Sequence, residues 1–187
     1  MGNQLEIAET EKAWLAGVIE GDRSMGMGFY QQHDRKIKTN GQRSFACKPT
    51  ITFSNQDIKL IERVAQLLEL ITGKVPRVRD EISNYPNGRS MMSLTLVGIE
   101  AVEVTLRTLI PYLVGDKLSK ARLIHRFAES RIARGISKGF RGYTPYNEEE
   151  MTIVRYLYEH TSSRKGGKRN PVIGEILRDR TRDLSVS

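Results

Sequence analysis

Residues 14–25 read WLAGVIEGDRSM, an apolar helical run that stops at a glycine with a carboxylate on either side, Glu20 and Asp22. Extended backwards, the pattern predicts a helix from Thr10, read as its N-cap, to Glu20, with Gly21 ending it. Ala13, Gly17 and Gly21 recur at i, i+4 and i+8 with Ala16 alongside, so one stripe of the helix lacks bulk and admits another helix backbone at close range. A glycine inside a soluble helix costs about 1 kcal/mol against alanine. Either Gly17 is merely tolerated, or a close helix contact offsets that cost.

Beyond this helix the texture turns to strands. Met25, Met27 and Phe29 alternate with Gly26, Gly28 and Tyr30. From Ser44 to Ser54, Phe45, Cys47, Pro49, Ile51 and Phe53 alternate with small polar residues, the period of a half-buried strand. Asn40-Gly41 is a hairpin signal between the two, and Pro49 predicts an edge position or a bulge because it has no amide donor. Ser54 to Asp57 reads as a capping box opening a helix from Gln56 to Thr72, stopped by Gly73. Strands at 75–79 and 89–97 follow around a Pro86-Asn87-Gly88 turn, then helices at Ile99–Leu109, ended by Pro111, and Ser119–Ala133. The order is αββαββα with a further helix, an α+β fold whose core is expected over 1–133.

From 134 to 187 the chain is glycine-rich and basic, with helical stretches at Asn147–His160 and Pro171–Arg180. From Arg131 onward there are twelve basic residues against seven acidic ones, +5 of a total formal charge of +8. This segment reads equally as a solvated extension or as an arm that grips phosphates.

The 187 residues carry 30 Lys and Arg against 22 Asp and Glu, a balance that favours a polyanionic partner. One cysteine, Cys47, excludes an internal disulfide framework and a Cys-rich zinc site. No window is apolar enough to span a membrane, and MGNQLEIAETEK does not resemble a signal peptide, so a cytoplasmic protein, or one acting inside the organelle that encodes it, is expected rather than a secreted one.

Strands of eight to ten residues span roughly 30 Å at about 3.3 Å per residue. Duplex DNA advances about 3.4 Å per base pair, so one sheet face follows about nine base pairs. Tyr30, Gln32, Ser44, Lys48, Thr50, Thr52, Arg77, Arg79 and Arg89 are the polar set expected to read it, with Arg35, Lys36 and Lys38 at the basic tip. Asp22, just past a helix C-terminus with its free carbonyls, suits a hard cation such as Mg²⁺. One carboxylate is too few ligands. A second subunit, packed through the stripe of Ala13, Gly17 and Gly21, would supply another.

Leu15-Ala16-Gly17-Val18-Ile19-Glu20-Gly21-Asp22-Arg23 resembles the signature of the LAGLIDADG homing endonucleases, and the family's αββαββα order follows it over about residues 10–133. Arg23 stands where the signature has its final glycine, and Glu20 where it has Asp. With one motif per chain, the sequence is similar to the homodimeric members, usually encoded in mobile introns or inteins. The resemblance implies a saddle-shaped antiparallel sheet in the major groove and a staggered double-strand break in a long pseudo-palindromic site. It implies an active site of Asp22 and Gly21, both as metal ligands, with Lys117, Asn55 and Lys59 around the scissile phosphate; Lys120 competes with Lys117 for the lysine role. Glu20 is not expected to be a ligand. The implied chemistry is in-line hydrolysis by cation-activated water, with ordered solvent as base.

Two rival readings stand beside this one: an intron maturase on the same fold that binds RNA without cutting DNA, and a dimeric DNA-binding regulator in which Glu20 and Asp22 only cap a helix. Other enzyme classes find no motif. His33, His125 and His160 are scattered and read as surface or basic-patch residues rather than as ligands or bases, RKGGKRN lacks Walker spacing, and Gly26-Met27-Gly28 is too short for a dinucleotide fingerprint.

Overall fold

The computed structural model describes residues 7–21, 25–32, 44–82, 90–135, 145–160, 173–175 and 177. Helix α1 spans Glu9–Gly21. It begins ahead of Thr10, because the Ala8 carbonyl accepts the amides of Glu11 and Lys12 while Ile7 packs on the core. Thr10 therefore lies inside the first turn and is not the cap. Leu15, Ala16 and Ile19 are buried, whereas Ala13, Trp14, Gly17 and Gly21 face outward.

Strands β1 (Met25–Gln32) and β2 (Ser44–Asn55) form the expected antiparallel ribbon, with Met25 opposite Ile51 and Gln32 opposite Ser44. Its basic tip, with Arg35, Lys36, Lys38 and the Asn40-Gly41 signal, lies outside the described residues. Helix α2 covers Ile58–Thr72, and its cap is Asp57, whose carboxylate accepts the amides of Lys59 and Leu60. The capping box read at Ser54 is displaced because β2 runs on through Asn55, keeping Ser54 in the ladder opposite Ser93. Gly73 ends α2 at φ 66°, a left-handed conformation that favours glycine.

Strand β3 is Arg77–Ile82 and β4 is Ser90–Val97, paired antiparallel from Arg77–Thr95 to Ile82–Ser90. The ladder starts at Arg77 and not at 75, since Val75 is exposed and Pro76 has no amide to give. The turn at 86–88 and Arg89 lie outside the described residues. Sheet order is β1-β2-β4-β3. Pro49 is thus in a central strand, against expectation, yet the β2–β4 pairing stops at Thr50–Val97. Cys47, on the same side of β2, turns its amide away from β1 toward Tyr146. Pro49 therefore presents its donorless nitrogen where β4 has already ended, which is locally an edge.

Helix α3 is Ile99–Leu109, followed by a 3₁₀ turn at Ile110–Tyr112 that holds Pro111. Helix α4 runs Gly115–Ala133 and so starts four residues ahead of Ser119. The extended Val114 passes into it through Gly115 at φ 54°, a turn that a side chain would strain. Helix α5 is Glu148–His160, and residues 173–175 and 177 within the expected last helix are helical.

Among the described residues, the helices pack their apolar sides into one layer against the sheet. Phe45, Cys47, Ile51, Phe53, Leu94 and Leu96 point into that layer against Val64 and Leu68 of α2, Val102 and Leu106 of α3, and Ile124 and Phe127 of α4. Met151, Ile153, Val154 and Leu157 of α5, with Ile173 and Leu177, belong to the same apolar cluster. At roughly 25 cal/mol per Å² of apolar surface, each such fully buried side chain contributes about 1.5–3 kcal/mol. The segment after residue 134 thus adds a structural element to this core. Phe29 of β1 meets Tyr158 of α5 edge-on, ring centroids 5.2 Å apart.

Candidate nucleic-acid interface and helix-end site

The period of two that buries one side of β1, β2 and β4 leaves a largely polar face on the other, with Val97 exposed at its end. Along β2 this face carries Lys48, Thr50, Thr52 and Ser54; the Thr52 hydroxyl lies 3.5 Å from that of Thr95, and Ser54 donates to the Ser93 hydroxyl at 3.4 Å. Opposite Thr95 and Ser93 on the outer strand stand Arg77 and Arg79, both exposed. At the other edge the Lys48 ammonium sits 5.2 Å from the centre of the Tyr30 ring, in reach of its negative face. A Cβ on Gly28 would stand 2.9 Å from that ring. The bare backbone at Gly28, which pairs with Lys48 across the ribbon, is therefore what lets Tyr30 fold back toward that lysine.

A second constellation forms where α1 ends. Lys117, in the first turn of α4, donates from Nζ to the Ile19 carbonyl at 2.9 Å, placing a positive charge on the negative end of the α1 dipole. In the other direction, Glu20 Oε1 accepts the Val114 amide at 2.9 Å. Burial, and next the charge of Lys117, pull the Lys120 ammonium below its usual range. Both lysines weighed from the sequence thus stand near the helix end, Lys117 in direct contact with it. Gly21 closes α1 exposed, with open space around its Cα, as at Gly17.

Asn55 is at the end of β2, four residues past Ile51, the partner of Met25; the α1–β1 junction and the end of β2 therefore share one end of the sheet. Its Oδ1 accepts the Asp57 amide at 2.9 Å, and the Lys59 amide donates to Asp57 at 2.9 Å, so both belong to the α2 cap. Asp22, Arg35, Lys36, Lys38 and Arg89 lie outside the described residues, as do the side chains of Gln32 and Ser44, whose backbones pair in the ladder.

Some participants were not singled out from the sequence. Thr95 and Ser93 are on the polar face, and the alternation in SLTL at 93–96 carries that signal. Asn147 accepts the Glu150 amide through its side chain, the i, i+3 cap pattern, and Glu150, fully buried, accepts from Arg131 at 3.3 Å, Arg134 at 2.7 Å and Ser130 at 2.8 Å. His125 is not a surface residue: its two ring nitrogens lie 3.3 Å from Glu103 and 3.2 Å from Glu129, joining α3 to α4. The contact of Glu20 with Val114 spans 94 positions and has no local sequence signal.

A helix bearing the LAGVIEG run of residues 15–21, a four-stranded antiparallel sheet with one polar face, and helices packed on the other define the fold of the LAGLIDADG homing endonucleases. The chain is similar to the archaeal intron-encoded homing endonuclease I-Vdi141I complexed with DNA, with a TM-score of 0.60 and 12% identity over 91% of this chain and 94% of that one. The group I intron-encoded homing endonuclease I-CeuI complexed with DNA matches with a TM-score of 0.53 and 13% identity, covering 89% and 72%. The LAGLIDADG homing endonuclease I-LtrWI bound to target DNA matches with 0.53 and 17%, over 86% of this chain but 47% of that one. No family model matches the sequence, and no curated protein does.

Proposed function

We propose that the protein is a site-specific DNA endonuclease of the homing type, acting as a homodimer with Mg²⁺ on a long pseudo-palindromic duplex and making a staggered double-strand break. The observation that carries this reading is the coincidence at one end of the fold: α1 ends at Gly21 and the sheet with a polar, basic outer face begins at Met25, while Lys117 is docked on the end of α1. The sheet binds and orients. Lys48, Arg77 and Arg79 neutralise phosphates, while Tyr30, Thr50, Thr52 and Thr95 stand where base edges pass.

The outward stripe of Ala13, Gly17 and Gly21 supports pairing of two α1 helices, which brings two copies of the Gly21-Asp22 tip together. That this chain accounts for about half of I-LtrWI fits a protein that needs two copies of itself to complete a site. The donor set is all oxygen, the Asp22 carboxylate and the exposed Gly21 carbonyl, which suits Mg²⁺ over a softer ion. When bound, the ion activates water and stabilises the charge that develops on phosphate. Lys117 adds positive charge beside the same phosphate, and the sheet holds the duplex in register with it.

The test is incubation of the purified protein with a library of duplexes and Mg²⁺, followed by sequencing of the ends. Defined double-strand breaks are expected from the native chain, and none from Asp22→Asn at unchanged duplex affinity. Breaks from the Asp22→Asn protein, or preference for intron RNA without any cutting, would overturn the proposal.

A further inference from the structure

Glu20 sits in the motif beside the acid assigned to the ion, yet its carboxylate goes elsewhere. Oε1 accepts the amide of Val114, the residue that enters α4, at 2.9 Å. Amides at the start of a helix have no carbonyl partner within it, and the positive end of the dipole attracts an anion. Val114 has no side-chain cap of its own, so the cap arrives from α1. Three residues into α4, Lys117 returns the favour to the Ile19 carbonyl at 2.9 Å.

These two bonds run in opposite senses between the last turn of α1 and the first turn of α4. Beyond the apolar packing of both helices, these two bonds, three positions apart at Val114 and Lys117, fasten the end of α1 to the start of α4 at two points. Lys120 follows Lys117 by one helical step on the same side, so its place is set by the same clasp. We infer that Glu20 is a positioning residue, which holds the lysine-bearing start of α4 against the acid-bearing end of α1 through its hydrogen bond to Val114. This inference rests on the nuclease reading only for its effect on rate; the clasp itself is a matter of geometry.

Replacement of Glu20 separates this role from that of a metal ligand. In Glu20→Gln the side-chain carbonyl still reaches and still accepts, but the charge is gone. In Glu20→Asp the charge stays and the side chain is shorter by one bond of about 1.5 Å, which opens the contact. Single-turnover cleavage, duplex affinity, the Mg²⁺ concentration for half-maximal rate, and amide hydrogen exchange over the first turn of α4 are measured on the full chain.

Glu20→Gln is expected to keep its rate within about threefold. Glu20→Ala and Glu20→Asp are expected to lose roughly 10- to 100-fold, the scale of a reacting group displaced by about an ångström. They should do so at unchanged duplex affinity and Mg²⁺ requirement, with faster exchange at the start of α4. A Gln variant as impaired as Ala, with a raised Mg²⁺ requirement, would assign Glu20 to the ion and overturn the inference, as would a native rate in all three. If Glu20→Ala does not fold, the Gln and Asp pair decides by itself. If the native chain cuts no duplex, the nuclease reading falls; unaltered exchange in the Asp variant then overturns the clasp independently, and accelerated exchange sustains it.

Discussion

The hydroxyl of Tyr146 accepts the amide of Cys47 at 2.8 Å, tying β2 to a residue 99 positions downstream. The Tyr146 ring stacks on Phe45, centroids 5.5 Å apart, and the Arg131 guanidinium lies 4.7 Å from its centre. Burial, and then the neighbouring Cys47, raise the Tyr146 hydroxyl above its usual range, so it stays protonated. Tyr146→Phe keeps the stacking but leaves a buried amide without a partner. Its expected cost is about 1–3 kcal/mol, read as a lower urea midpoint with an unchanged slope.

Glu150 is expected to be the costliest single position in the segment after residue 134. Its carboxylate, fully buried, holds Arg131 and Arg134 together. Arg131 has a side chain only 9% exposed. Glu150→Ala removes the carboxylate that balances that buried cation, at a cost of about 3–5 kcal/mol. Differential scanning calorimetry checks this; a shift no larger than that of an exposed glutamate such as Glu148 would refute it.

Gly17→Leu tests assembly without disturbing the protomer. A Cβ at Gly17 meets nothing within 4 Å, and leucine is the better helix former by several tenths of a kcal/mol. The variant should fold at least as well as the native chain yet sediment as a monomer and fail to cut. Dimers of undiminished affinity would move the interface away from α1.

The polar face is checked through salt. Lys48→Ala and Arg77→Ala each remove one cation placed to meet a phosphate from each subunit, two per dimer, so the slope of log affinity against log salt should fall by about two units in each. Thr52→Val removes no charge and should change preference among duplexes with the slope intact.

Cys47 reports on opening. Burial, opposed only in part by Tyr146, pushes its thiol up to about 12 from 9.0. A raised folded value means that the folded state binds the extra proton. The related stability is complete below pH 9 and declines as pH rises from 9 towards 12. Alkylation of the native protein at pH 8 should therefore track unfolding, and Tyr146→Phe should accelerate it.

Most of the architecture was legible because it rests on local periodicity. The period of two in 44–54 and the glycine stops at 21 and 73 survive tertiary packing with small shifts. Element starts were less so. Asp57 displaced Ser54 as a cap because β4 pairing carries β2 on through Asn55, and Gly115 opened α4 early because it permits a left-handed turn. At the helix end, the lysine at 117 was readable from the resemblance, whereas the Glu20–Val114 bond was not, since nothing in either segment announces a partner 94 positions away. The basic texture of the last fifty residues hid four apolar residues of α5 that lie in the core.

Residues 45 and 47 leave the ribosome about a hundred residues before the tyrosine that seals them. Closing so long a loop is entropically expensive, and contacts of this separation form late. During synthesis the corner beside Pro49 therefore stays open, with an unsatisfied strand edge and bare aromatic surface, until the chain has been made past position 146. A nascent chain stalled short of that point would carry a sticky, half-finished sheet, which makes the interval before Tyr146 emerges the one in which this protein most needs a chaperone.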